Sequence, residues 1–197
     1  IMGSDFGQGM AIRAMRKEYF KPLFVSGQKV DLSHLDPFTM TLFSDRLNKN
    51  LRVAVTFSTH CFSESYGVLP HPLGDTVIDE DTKWPRTYCP IRYGLSKALP
   101  GVINGLPGQL ITRTIFKRNW LHTLTIAAPA GPYHVFIELQ KASPERRTWQ
   151  DLELVVESAY HQTGAPPGVS GDPRAFMAVC ADTYAPPRKR PAKKRKR

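Results

Sequence analysis

The chain has 197 residues, 41% of them hydrophobic, and a formal charge of +10 at pH 7. That length suits one domain with tails. With no run of about 18 apolar residues it lacks a helical membrane span, and 17 prolines and 14 glycines call for many turns.

Residues 1–15 read as a leader or an expression-derived segment, with Met10 or Met15 as the natural start. They lack the apolar stretch of a secretory signal. A short helix is expected over Ala11 to Phe24, ended by Pro22. Phe38–Ser44 alternates as a strand. Asp45 to Asn50 is a polar turn, and Leu51–His60 returns as the second arm of a hairpin. Val53, Val55 and Phe57 would line the core, with Thr56, Ser58 and His60 on the other face.

Residues 61–94 form a long irregular connection, a type of segment that often carries function. Leu95, Leu99, Val102, Ile103 and Leu106 then fall on a helical stripe. Ser96 is a candidate N-cap, and Pro100 is tolerated if the helix starts near Leu99. Asn119–Ala127 and Tyr133–Gln140 flank the turn Pro129–Pro132 and read as a hairpin. A Gly/Pro-rich loop, Gly164 to Pro173, precedes a last strand over Ala175–Tyr184.

The clearest strand is Asp151–His161. Strict alternation puts Leu152, Leu154, Val156, Ser158 and Tyr160 on one face and Glu153, Val155, Glu157, Ala159 and His161 on the other. Its end gathers acid, hydroxyl, phenol and imidazole within about 15 Å. Such a cluster makes a wall for a site, or a sheet edge whose polar end faces water.

Charge is unevenly distributed. Residues 186–197 hold eight of the 27 Lys and Arg and no acid, so the rest keeps 19 bases against 17 acids, a net of +2. A segment of that composition is expected to be disordered and to attract polyanions. The domain thus runs over 16–184 and the basic tail over 185–197. The tail also has the letters of a nuclear-import signal, which would matter only in a eukaryotic host.

Three widely spaced cysteines (Cys61, Cys89, Cys180) do not make a disulfide framework and favour a reducing, cytoplasmic setting. His60 and these cysteines offer no CxxC or HxxxH pair, so no metal is expected. No phosphate-loop, dinucleotide or nucleophile-elbow motif occurs, so no cofactor is expected either.

Metal-independent RNA cleavage fits the polar residues better. It needs a base for the ribose 2′-OH, an acid for the leaving oxygen and a cation for the phosphorane. His60 or His161 would be acid or base, and Glu157 base. Arg92 or Arg86 would hold the phosphate, and Ser158 and Tyr160 would donate to it. Tyr88, Tyr93 and Trp120 would stack on unpaired bases. The tail residues Arg188, Lys189, Arg190, Lys193, Lys194, Arg195, Lys196 and Arg197 would bind the backbone.

Three segments, His60–Ser63, Arg86–Tyr93 and Trp149–Tyr160, resemble bacterial plasmid- or phage-borne proteins labelled stationary-phase growth adaptation proteins. That likeness covers most of residues 16–184 and implies no mechanism. A meander whose core strand ends in Ser158-Ala159-Tyr160 also resembles the barnase, EndoU, colicin and RelE-like small RNases and toxins. The resemblance implies a site with a His, an Arg and a late Ser/Thr or Tyr, matched here by His60, Arg92, Ser158 and Tyr160. This chain departs from that group in its looser order and in the segment Ala175–Tyr184 after the motif.

The expectation is an α+β domain: a twisted antiparallel meander with one main helix and a disordered basic tail. Its expected function is RNA-directed, as a metal-independent endoribonuclease of toxin type. The rivals are a non-catalytic module binding nucleic acid or a protein partner, as in a mobile element or stress response, and a β-rich scaffold with a solubilising tail.

Overall fold

A computed structural model describes residues 18–65, 76–77, 85–115, 120–127, 129–162 and 167–187. The leader, the 11–17 part of the expected first helix and the tail bases from Arg188 onward lie outside them. The strands are β1 (Phe24–Val25), β2 (Gln28–Lys29), β3 (Phe38–Ser44), β4 (Lys49–Phe57), β5 (Ser63–Ser65), β6 (Thr76–Val77), β7 (Arg86–Tyr88), β8 (Leu110–Thr114), β9 (Trp120–Ala127), β10 (Ala130–Lys141), β11 (Leu152–His161) and β12 (Val169–Ala175). The helices are α1 (Pro90–Ser96), α2 (Leu99–Gly105) and α3 (Phe176–Tyr184). None of these is long and apolar enough to cross a membrane.

A seven-stranded sheet in the order β12-β8-β9-β10-β11-β4-β3 carries the fold. It is mixed, not a purely antiparallel meander. β11 lies parallel to β4, with Leu152 opposite Val53 and Val156 opposite Phe57. Parallel neighbours need a long crossover, and here everything between β4 and β11 supplies it. Two expected hairpins hold, β3/β4 and β9/β10. In the first, Asn48 takes the left-handed conformation that a polar turn residue tolerates.

One face of the sheet forms the core. It presents Val53, Val55, Phe57, Leu154, Val156, Val135 and Ile137, all buried, and meets Leu99, Ile103, Phe176 and Val179 from the helices.

Three expectations about helices need correction. The expected main helix is two: α1 ends at Ser96, and α2 begins at Leu99, which puts Pro100 in its first turn where no N–H is missed. Of the expected last strand, Ala175–Tyr184, residues Phe176–Tyr184 form a helix and only Ala175 is in a strand. The helix's buried residues Phe176, Val179, Cys180 and Ala181 follow a period near 3.6, which a short apolar run does not distinguish from a buried strand. The final strand is instead β12, taken from the Gly/Pro-rich loop; it is fully exposed, as an edge strand with Pro173 can be. Residues 18–24 of the expected first helix are extended or bent.

Gly131 sits at φ +136, and a Cβ there would lie 2.9 Å from His161 Nε2. Gly131→Ala is therefore expected to cost roughly 1–3 kcal/mol, read from urea unfolding midpoints. An unchanged midpoint would mean that the β9/β10 turn relaxes freely.

Candidate nucleic-acid interface

The parity of β11 changes halfway. Its register against β10 shifts between Phe136 and Ile137: Ile137 faces Val156, while Phe136 faces Ser158. Glu157 is the extra residue of a β-bulge. Beyond it Ala159, opposite Val135, enters the core, and Ser158 and Tyr160 turn to the second face. Unbroken alternation would have placed Ala159 and Tyr160 the other way round.

The bulge coincides with the end of β4. Past Phe57 the chain leaves the strand for the short 3-10 turn Thr59–Cys61. Ser58 N donates to Val156 O (3.0 Å), and Ser58 Oγ donates to Glu157 O (2.6 Å). α1 packs beside this turn. Arg92 Nη1 donates to His60 O (3.3 Å) and Ser63 O (2.9 Å), while its guanidinium lies 5.1 Å from the Tyr160 ring centroid. Arg92 and Tyr160 thus touch, and the main chains of His60 and Glu157 are held nearby.

Tyr160 also stacks on Phe136, at 5.4 Å between centroids and 19° between planes. His134 meets the same ring edge-on at 6.2 Å. His134 is only 3% exposed; its Nδ1 lies 2.9 Å from Thr123 Oγ1, and among the described residues its Nε2 has no partner. Burial, then the neighbouring His161, lowers its pKa. Phe136, His134 and Thr123 went unnoticed in the sequence. The i, i+2 spacing of His134 and Phe136 was their available signal; their register with Tyr160 was not.

The other expected residues sit elsewhere. Arg86 is 4% exposed, and its guanidinium bonds Ser63 Oγ (2.8 Å), Ser63 O (2.7 Å) and Ser65 Oγ (3.2 Å), clamping β7 to β5. Tyr93 packs with Tyr88 at 5.5 Å and His34 at 5.7 Å, and its hydroxyl donates to Asp31 O (3.0 Å). Trp120 faces Arg174 at 5.9 Å, across the sheet from Tyr160. His161 Nε2 lies 3.1 Å from Ala130 O, at the β9/β10 turn. A cavity of about 530 Å³ is lined by residues between Glu18 and Asp36, none of them in the expected set.

Thiol chemistry has no support. All three cysteines are free and buried, and burial pushes the Cys61 and Cys180 thiols up to about 12. Only the thiolate is nucleophilic. Both are expected to resist alkylation in the folded protein at neutral pH, as read by mass spectrometry of labelled peptides; rapid labelling of either would contradict this. Among the described residues no group of three His, Cys, Asp or Glu side chains could hold a metal ion.

Compared with known proteins, residues 22–184 match the model of the YjaZ family. No curated protein and no solved structure matches the chain.

Proposed function

The chain belongs to the YjaZ family, and from its own geometry we propose that it is an RNA-directed protein binding single strands on the second face of its sheet. The observation that carries this reading is the Tyr160–Phe136 stack on neighbouring strands with Arg92 against it. Aromatic rings on a sheet surface take unpaired bases regardless of sequence, and a guanidinium beside them takes phosphate. Among the described residues nothing occupies Arg92 Nε or Nη2, so two donor nitrogens remain for a phosphate. The tail bases add sequence-independent attraction.

A second reading, metal-independent endoribonuclease, is favoured by Arg92 donating to the main-chain oxygen of His60, while Ser58, two residues earlier, donates to the main-chain oxygen of Glu157. A base, Glu157 or His60, would take the 2′-OH proton as the 2′-oxygen bonds to phosphorus. The P–O5′ bond would break, and an acid would protonate the leaving 5′-oxygen, giving a 2′,3′-cyclic phosphate. Arg92 would stabilise the phosphorane.

One experiment tests both. Fluorescein-labelled single-stranded and duplex RNA are titrated with protein in EDTA, with anisotropy and gel readouts. Preference for single strands that Tyr160→Ala abolishes supports the binding reading. Cleavage in EDTA that His60→Ala removes supports the enzyme. Equal affinity for duplex, unaffected by Tyr160→Ala, overturns the sheet-surface proposal and leaves only the tail.

A further inference from the structure

The two edges of the main sheet are built differently. β12 is blunted: it carries Asp172, Pro173 and Arg174, its pairing with β8 is irregular between Ser170 and Arg174, and Gly171 has φ +77. Charge, proline and irregularity are the usual defences of an exposed edge. β3 has none of them. Phe38-Thr-Met-Thr-Leu-Phe-Ser44 is seven regular residues without charge, glycine or proline.

The hydrogen bonding shows which main-chain groups β3 leaves outward. Asp151 N donates to Arg52 O and Ser58 N to Val156 O, so Arg52, Ala54, Thr56 and Ser58 direct their main-chain groups toward β11. Leu51, Val53 and Val55 therefore face β3, where their partners are Leu42, Met40 and Phe38. The N–H and C=O groups of Thr39, Thr41 and Phe43 point away from the sheet. Among the described residues nothing pairs with them.

We propose that this edge is closed by β3 of a second copy of the chain, antiparallel about a two-fold axis at Thr41. The register is self-complementary. Thr41 faces Thr41, Thr39 faces Phe43, and each outward N–H meets an outward C=O. On the core side Met40 faces Leu42, so the buried face continues across the axis. On the other side Phe43, 54% exposed in the single chain, gains a neighbour. No like charges meet within the paired strands, and a two-fold contact of this kind closes on itself without propagating. A single pair of edge strands is a small interface, so the dissociation constant should be on the order of micromolar to tens of micromolar.

Sedimentation equilibrium of the full chain in high salt, free of nucleic acid, reads the assembly. The wild type should show concentration-dependent dimer formation. Thr41→Lys sets two ammonium groups face to face and should raise the dissociation constant more than tenfold while leaving the circular dichroism spectrum unchanged. Phe43→Lys, at an exposed position, is the second variant and should do the same. Thr41→Cys should cross-link under diamide, since the facing Cα atoms of such a pair lie about 5.5 Å apart. Thr39→Cys should not. A wild type that stays monomeric, including one that pairs its edge only with another protein's strand, overturns the proposal. So does a dimer indifferent to both lysine variants, or cross-linking through Thr39→Cys.

Discussion

Asp151→Ala is expected to lower the free energy of unfolding by about 2–3 kcal/mol, the cost of leaving partners of a buried carboxylate unpaired. Asp151 is 5% exposed. One carboxylate oxygen accepts from Lys49 Nζ (2.6 Å), the other from Arg52 N (2.9 Å) and Arg52 Nε (3.2 Å). Its own N–H donates to Arg52 O (2.8 Å). The residue thereby fastens the start of β11 to β4, at the parallel pairing that no hairpin enforces. The same lysine donates to Tyr184 Oη (2.8 Å) and lies over its ring, tying in the end of α3.

The pH dependence follows with a definite sign. Burial alone would raise the Asp151 pKa, but the hydrogen bonds from Lys49 and Arg52 outweigh it and hold the carboxyl at about 2 against an ordinary 3.8. The group's contribution is complete above the ordinary value. It is lost as pH falls toward 2, because the unfolded chain takes up its proton first. It should amount to about 1–2 kcal/mol, since Lys49 and Arg52 remain partly open to water. Denaturant midpoints of wild type and Asp151→Asn, compared from neutral pH to pH 2, check this. The gap between them should narrow on acidification, and a constant gap would refute the role of ionised Asp151.

Tyr160→Ala and Arg92→Ala are each expected to weaken single-stranded RNA binding by roughly tenfold or more, the scale of one lost base stack or one charge-assisted phosphate contact. The two losses should not simply add, because the guanidinium and the ring touch. Tyr160→Phe should keep most of the affinity if stacking is what matters. Salt separates sheet from tail: removing residues 188–197 should flatten the dependence of affinity on salt, whereas Tyr160→Ala should shift the curve without changing its slope. If Tyr160→Ala instead flattens the salt dependence, the ring only positions charge.

Legibility varied with the range of the interactions. The β3/β4 hairpin was visible because a period of two, a polar turn and a second period of two are neighbours in sequence. The same holds for β9/β10 around Gly131. The segment of α3 reads as a strand because the letters of a short apolar run, Phe176 to Ala181, fit either period; the buried positions that reveal the helix are known only once its partners are. Arg86 looked like a surface cation beside aromatic residues, yet Ser63 and Ser65, twenty-odd residues earlier, surround its guanidinium.

By itself the sequence determined what depends on neighbouring residues. That includes the alternation of the strands, the placing of Pro100 in a helix's first turn, and the concentration of eight bases in the last twelve residues. Tertiary structure decided the rest. β4 and β11 run parallel because they are neighbours in space, joined by a crossover that no local pattern encodes. Tyr160 reaches the second face because β11 gains one residue at Glu157 where β4 ends and Ser58 takes over its hydrogen bonds. A single extra residue exchanges the two faces of a strand, and whether it is accommodated depends on the partner strand, which local periodicity does not contain.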